Sequence, residues 1–233
     1  MKATYIDHMG TDLSVVNAAR VSFAKKSEWE DGPVLDDAQG MFWTEVLSER
    51  DAKLIKYLAK HNHWTPFAHT AITVHVKAPL FVARQLGKHQ VGMVWNEVSR
   101  RYVTDEPEFY VPEVWRKAAD NVKQGSSDEV VENIGDFTNQ KTPDFLVKIE
   151  HARALTLYRR MISGGVCPEQ ARMVLPQSMY TEWYWTGNLV SFANMVKLRT
   201  DPHTQRETQE VARQIGAIIE PLFPVSWAAL TNS

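Results

Sequence analysis

Residues 70 to 77 alternate with a period of two: Ile72, Val74 and Val76 fall on one side, Thr73, His75 and Lys77 on the other. Successive side chains of an extended chain point to opposite faces, so this run predicts a strand with one face in a core. Pro79 then opens a helix running to about residue 89. Other stretches follow the helical period. Residues 12 to 23 place Leu13, Val16 and Ala19 or Arg20 on neighbouring turns, and residues 36 to 60 read as a longer helical region striped by Leu54, Tyr57 and Leu58. Thr65-Pro66 and Thr142-Pro143 are start signals, a capping hydroxyl before a proline. The second begins a helix to residue 161 that Gly164-Gly165 stops. A short helix spans residues 168 to 172, and longer ones span 188 to 200 and 202 to 222. Residues 178 to 185, rich in Tyr, Trp and Thr, favour a strand. Strands and helices do not alternate regularly, which predicts an α+β fold: a small antiparallel or mixed sheet flanked by long helices. Residues 1–233 form one domain, with the polar stretch 120–143 as a surface insertion on it.

Charge limits the partners. There are 26 basic and 28 acidic side chains, a formal net charge of -2, so no global positive field exists to hold a nucleic acid polymer. An anion would be gripped locally. The sole cysteine, Cys167, leaves no intrachain disulfide and no thiolate metal cluster. With no signal-peptide pattern after Met1 and no apolar run long enough for a bilayer, a cytoplasmic setting is expected, with no membrane partner.

Residues 84 to 102 carry the densest chemistry. Arg84 and Lys88 lie one helical turn apart, as do Gln85 and His89. After a turn containing Gly92 come Asn96, Glu97, Ser99, Arg100 and Arg101. In an extended chain Glu97, Ser99 and Arg101 share a face and can grip a ligand, with Arg101 bidentate on a phosphate. A solvated strand edge with a surface ion pair fits the same pattern. Arg172, amid Met, Val and Leu, and Arg199, ending an apolar helix, need anionic or carbonyl partners if buried. A structural salt bridge would serve equally. Asn188, Ser191, Asn194 and Leu198 share a helix face that can hydrogen-bond a heterocycle or neighbouring backbone. His61, His63 and His69 match no zinc spacing, so no metal is expected. Neither a glycine-rich dinucleotide fingerprint nor a P-loop is present, and Cys167 reads as an inert thiol.

Taken together, six ordered blocks cease to be generic. They are Asp12-Leu13-Ser14 through Arg20-Val21-Ser22-Phe23; His61-Asn62-His63-Trp64-Thr65-Pro66-Phe67; Val76-Lys77-Ala78-Pro79 through Arg84-Gln85; Asn96-Glu97-Val98-Ser99-Arg100-Arg101-Tyr102; Ala171-Arg172 to Pro176; and Leu198-Arg199 followed by Asp201, His203 and Gln205. In these blocks the chain resembles the flavin-dependent (alternative) thymidylate synthase family, from about Met9 to Pro221. The resemblance implies a homotetramer with FAD at subunit junctions, in the cytoplasm or, for a virus-encoded enzyme, the host cytoplasm. It also implies reductive methylation of dUMP to dTMP, with 5,10-methylenetetrahydrofolate as one-carbon donor and NADPH as electron source. By position, Ser22, His63, Thr65, Lys88, His89, Gln90, Glu97, Asn188 and Asn194 would touch the flavin. Gln85, Lys88, Glu97, Ser99, Arg100, Arg101, Arg172 and Arg199 would hold dUMP, several of them from different subunits. Arg199 and Ser99 take the catalytic positions, Arg199 by favouring a deprotonated uracil N3. The alternative is a catalytically impaired paralogue that still binds dUMP and flavin. Three departures motivate it. The family's Arg-His-Arg signature reads Lys88-His89-Gln90 here, with one extra residue before Ser99; Ala68 replaces a usual acid; and Val190 replaces a usual arginine. Fewer cations near the flavin phosphates imply weaker FAD retention, with Trp64 and Trp95 as compensating stacking groups.

Overall fold

A computed structural model describes residues 1–36, 40–120, 125–135 and 140–232. Its centre is a four-stranded antiparallel sheet in the order β1 (Lys2–Met9), β4 (Ala71–Pro79), β8 (Tyr180–Gly187), β5 (Met93–Glu97). The alternation in residues 70 to 77 becomes β4. Ile72, Val74 and Val76 are fully buried, and register pairs Val74 with Trp185 and Trp185 with Trp95. Trp183 and Trp185 extend the buried face, and Trp95 stacks on Trp183 with centroids 4.2 Å apart. The single-domain α+β fold with a small antiparallel sheet is therefore present.

Helices cover the apolar face. α1 (Asp12–Arg20) continues into a 3-10 turn, Val21–Phe23, and buries Val15 and Val16. α2 (Glu49–Lys60) buries Ile55, Leu58 and Ala59, and α3 (Leu80–Leu86) buries Val82, Ala83 and Leu86. The long α4 (Pro143–Ser163) is capped by Thr142, whose hydroxyl accepts from Phe145 N at 3.3 Å. α5 (Pro168–Ala171) is a single turn, α6 (Leu189–Arg199) runs into the core, and α7 (Arg206–Ile219) buries Val211, Ala212, Ile215 and Ile219. The last helix, α8 (Pro224–Thr231), is fastened to the first: buried Asp12 accepts from Val225 N at 2.8 Å and Ser226 N at 2.9 Å. A carboxylate there satisfies amides that a helix start leaves unpaired.

Two expectations are corrected. Residues 36 to 60 do not form one helix: a hairpin of β2 (Glu30–Asp36) and β3 (Gly40–Val46) precedes α2. Gly32, Pro33 and Gly40 break a helix, Trp43, Thr44 and Val46 prefer strand, and the helical period holds only after Ser48, whose hydroxyl accepts from Asp51 N. Residues 37–39 lie outside the described ones. The last long helix starts at Arg206 instead of Pro202, because residues 201 to 204 turn back, Thr204 N donating to Asp201 O. Within the expected 120–143 surface insertion, β7 (Ser126–Val130) pairs with β6 (Arg116–Ala118), and residues 121–124 and 136–139 lie outside the described ones. Among the described residues no helix is long and apolar enough to cross a membrane, and no group of three metal-ligating side chains occurs.

Candidate functional site

Arg199 ends α6 half-buried and is held from two sides. Its Nε donates to His89 Nε2 at 2.9 Å, and its Nη2 donates to the Gln85 carbonyl at 3.1 Å. His89 must therefore present a bare Nε2, its proton residing on Nδ1. Burial, and then the Arg199 charge, push the His89 pKa below its ordinary 6.5. Gln85, from the last turn of α3, donates from Nε2 to Gln205 Oε1 at 2.5 Å and accepts from Thr208 Oγ1 at 3.0 Å. Gln85 and Arg199 thus line a cavity of about 500 Å³ with Arg116, Ser126, His203 and Gln205. Arg116 closes that wall: Nε reaches Ser126 Oγ at 2.8 Å, and Nη2 is bidentate on buried Glu207 at 2.8 and 3.1 Å.

Glu97 ends β5 between two further cavities. Its Oε1 accepts from Thr181 Oγ1 at 2.7 Å and its Oε2 from Trp95 Nε1 at 3.3 Å. On one side lies a 580 Å³ cavity lined by Arg100 and Arg172. On the other lies a 320 Å³ cavity lined by Arg84, His89, Gln90, Trp95 and Trp185. The expected common face of Glu97, Ser99 and Arg101 does not form. Ser99 Oγ accepts from Arg101 N at 3.3 Å and bends the chain into a turn, so Arg101 instead lies over Tyr102 in the open. Arg172 is exposed, its Nε donating to the Glu169 carbonyl at 3.3 Å, so the question of a buried partner does not arise.

Ser22, His63 and Thr65 meet in a cavity of 840 Å³ between α1, α2 and the segment before β4. Trp64 and Tyr57 line it too, more than half exposed. Asn188 and Asn194 are not in it. Asn188 caps α6, accepting from Ser191 N at 2.9 Å, and Asn194 is exposed on the same helix. The Lys88-His89-Gln90 loop is pinned to this cap. Asn188 N donates to Gly92 O at 3.2 Å, and Ser191 Oγ to Val91 O at 2.9 Å. Lys88 and Gln90 are exposed, Gln90 at the wall of the 320 Å³ cavity.

One chain therefore places Gln85 and Arg199 on one cavity, His89, Gln90 and Glu97 on a second, Glu97, Arg100 and Arg172 on a third, and Ser22, His63 and Thr65 on a fourth, with the Arg199–His89 hydrogen bond joining the first two. The sequence reading gave no role to Arg116, Ser126, Thr181, Gln205 or Thr208. Gln205 and Thr208, one turn apart at the start of α7, were the available signal; Arg116 and Ser126 needed the tertiary fold.

A model of the family described as thymidylate synthase complementing protein matches residues 4–225. The chain belongs to this family. A flavin-dependent thymidylate synthase of Thermus thermophilus is 38% identical over 224 residues, covering 96% of this chain and 73% of that protein. One from Thermosipho africanus is 37% identical over 224 residues, covering 96% of this chain and 88% of that protein. The crystal structure of the UMP/dUMP methylase PolB from Streptomyces cacaoi, bound with 5-Br dUMP, matches with a TM-score of 0.76 at 29% identity, covering 99% of this chain and 94% of that one. The family resemblance carried by the six sequence blocks thus holds over nearly the whole chain.

Proposed function

We propose that this family member is a flavin-dependent thymidylate synthase, converting dUMP to dTMP with FAD, 5,10-methylenetetrahydrofolate and NADPH. The observation that carries the reading is Arg199, fixed by His89 and the Gln85 carbonyl at the edge of a polar cavity. Both its partners are neutral, so its positive charge stays undischarged and is available to a pyrimidine ring. A guanidinium preset in this way favours negative charge at uracil N3 without reorganising, and counts for most where water is excluded. Arg100, Arg101, Arg172, Lys88 and Gln85 are the proposed holders of the nucleotide, the three arginines bringing planar guanidinium forks suited to its phosphate. Ser99 sits beside them, and Glu97, oriented by Thr181 and Trp95, offers acceptors to a ligand hydroxyl or ring nitrogen.

The 840 Å³ cavity suits the flavin. Its aromatic wall of Trp64 and Tyr57 suits a planar ring, while Ser22, His63 and Thr65 supply hydrogen-bonding groups, and among the described residues its lining holds no carboxylate to repel phosphates. FAD when bound supplies the hydride transfer; the protein supplies positioning, charge and exclusion of water. The proposed residues occupy several cavities of one chain, which supports a homotetramer that completes each site across protomers.

Tritium release from [5-3H]dUMP, with the folate, NADPH and added FAD, tests the reading. Release that falls at least 100-fold in Arg199→Ala is expected (on the order of 3 kcal/mol of transition-state stabilisation). Nucleotide binding without any release by the parent protein would instead identify a binding paralogue.

A further inference from the structure

Among the described residues, the lining of the 840 Å³ cavity contains three cationic side chains, Arg20, Lys25 and Arg50, and no aspartate or glutamate. Arg20 is accounted for, since its Nε donates to Asp51 Oδ1 at 3.0 Å. Lys25 and Arg50 are exposed, and among the described residues neither side chain has a carboxylate partner. They arrive from separate elements. Lys25 follows the 3-10 turn after α1, and Arg50 sits in the first turn of α2. The same turn carries Glu49 and Asp51, but these are engaged by Lys53 and Arg20, which leaves Arg50 beside a helix end of partial positive charge. An anion beside Arg50 would relieve it, drawing on the guanidinium and the helix end together. The rest of the wall is aromatic: Phe23, Tyr57 and Trp64 expose 76%, 54% and 59% of their surface. Solitary exposed aromatics are ordinary, but three around one cavity with two uncommitted cations are a recognition surface.

We propose that Lys25 and Arg50 clamp the dianionic tail of a planar aromatic ligand whose ring lies against Trp64. The inference rests on the functional reading above and deepens it by assigning two residues that no matched sequence block includes. Two ligands share the chemistry: FAD, through its diphosphate, and the folate donor, through its glutamate carboxylates.

The test is a titration of the full-length protein with riboflavin, FAD and tetrahydrofolate, followed by quenching of tryptophan fluorescence. Lys25→Gln/Arg50→Gln is expected to weaken FAD or tetrahydrofolate by about tenfold or more, as loss of charge-assisted contacts requires. Riboflavin, which has no anionic tail, should bind as before. The ligand that loses affinity names the occupant. Arg50→Lys should keep most of the affinity, and rising salt should weaken the parent more than the double variant. The proposal is overturned if FAD and tetrahydrofolate both bind the double variant within twofold of the parent, if the parent binds neither, or if riboflavin weakens equally. Arg199→Ala, assayed for dUMP binding in the same preparation, separates the two claims. Intact dUMP binding there counts against the functional reading and leaves the clamp to the flavin and folate titrations.

Discussion

At the scale of single residues, the Arg199 to His89 hydrogen bond sets a pH dependence. The bond needs a neutral imidazole, and the folded-state pKa lies below the unfolded value of 6.5 because burial and Arg199 both disfavour the cation. The contribution is complete above pH 6.5 and is lost as pH falls through the lower folded value, where a protonated ring would repel the guanidinium. Affinity for dUMP should therefore fall on the acid side of neutrality more steeply in the parent than in His89→Gln, where only the titration of the ligand phosphate remains. Calorimetric titration between pH 5 and 8 checks this, and a profile shared by both proteins would refute it. Gly92 makes a second case. Its φ of +71° is left-handed, and an added Cβ would lie inside van der Waals contact with Ser191 Oγ and Asn188 Nδ2. Gly92→Ala should cost about 2 kcal/mol and displace the Lys88-His89-Gln90 loop from the α6 cap. Chemical denaturation gives the first quantity and dUMP affinity reports the second.

Among elements, the Asp12 cap on α8 is the contact most exposed to a single change. Asp12→Ala leaves two amides near the core without acceptors and should lower stability by about 2 kcal/mol, read as a drop in melting temperature. Asp12→Asn keeps one acceptor oxygen and should lose less. Neither consequence is visible in the chain's own order, since donor and acceptor lie more than 200 positions apart. Local pattern showed what depends on neighbours. The alternation of Ile72, Val74 and Val76 yielded β4, and the Thr142-Pro143 signal yielded α4. Where two periodicities abut, the helical stripe of Leu54, Tyr57 and Leu58 was extended backwards over Trp43 and Val46, residues that pair as strand. At the site, family spacing indicated Gln85, Arg199 and Glu97, but not that Asn188 serves as a cap or that Ser99 turns the chain. Those outcomes depend on which hydrogen bond a polar side chain completes first, and short polar side chains have many local options.

For the molecule as a whole, the pair of half-buried Arg20 and buried Asp51 ties α1 to α2 at the wall of the 840 Å³ cavity. Burial raises the Asp51 pKa, but hydrogen bonds from Arg20, Ser27 and Ser48 outweigh it and hold the carboxyl below its ordinary 3.8. A carboxylate depressed in the folded state contributes stability above its unfolded pKa and loses it as pH falls through the folded value. Asp51→Asn should therefore be less stable at pH 7 by about 3 kcal/mol, because Arg20 loses its counter-charge, and should show a flatter decline below pH 4. Melting temperatures across pH 2 to 8 test both halves. The fastening of α8 by Asp12 has a further consequence, during synthesis. As the polypeptide is made, the acceptor at position 12 must wait for amides at positions 225 and 226, and β4 must wait for β8 more than a hundred positions later. Early segments can coil locally, but native closure waits for segments made much later, and is slowed by the distance over which its decisive contacts are made.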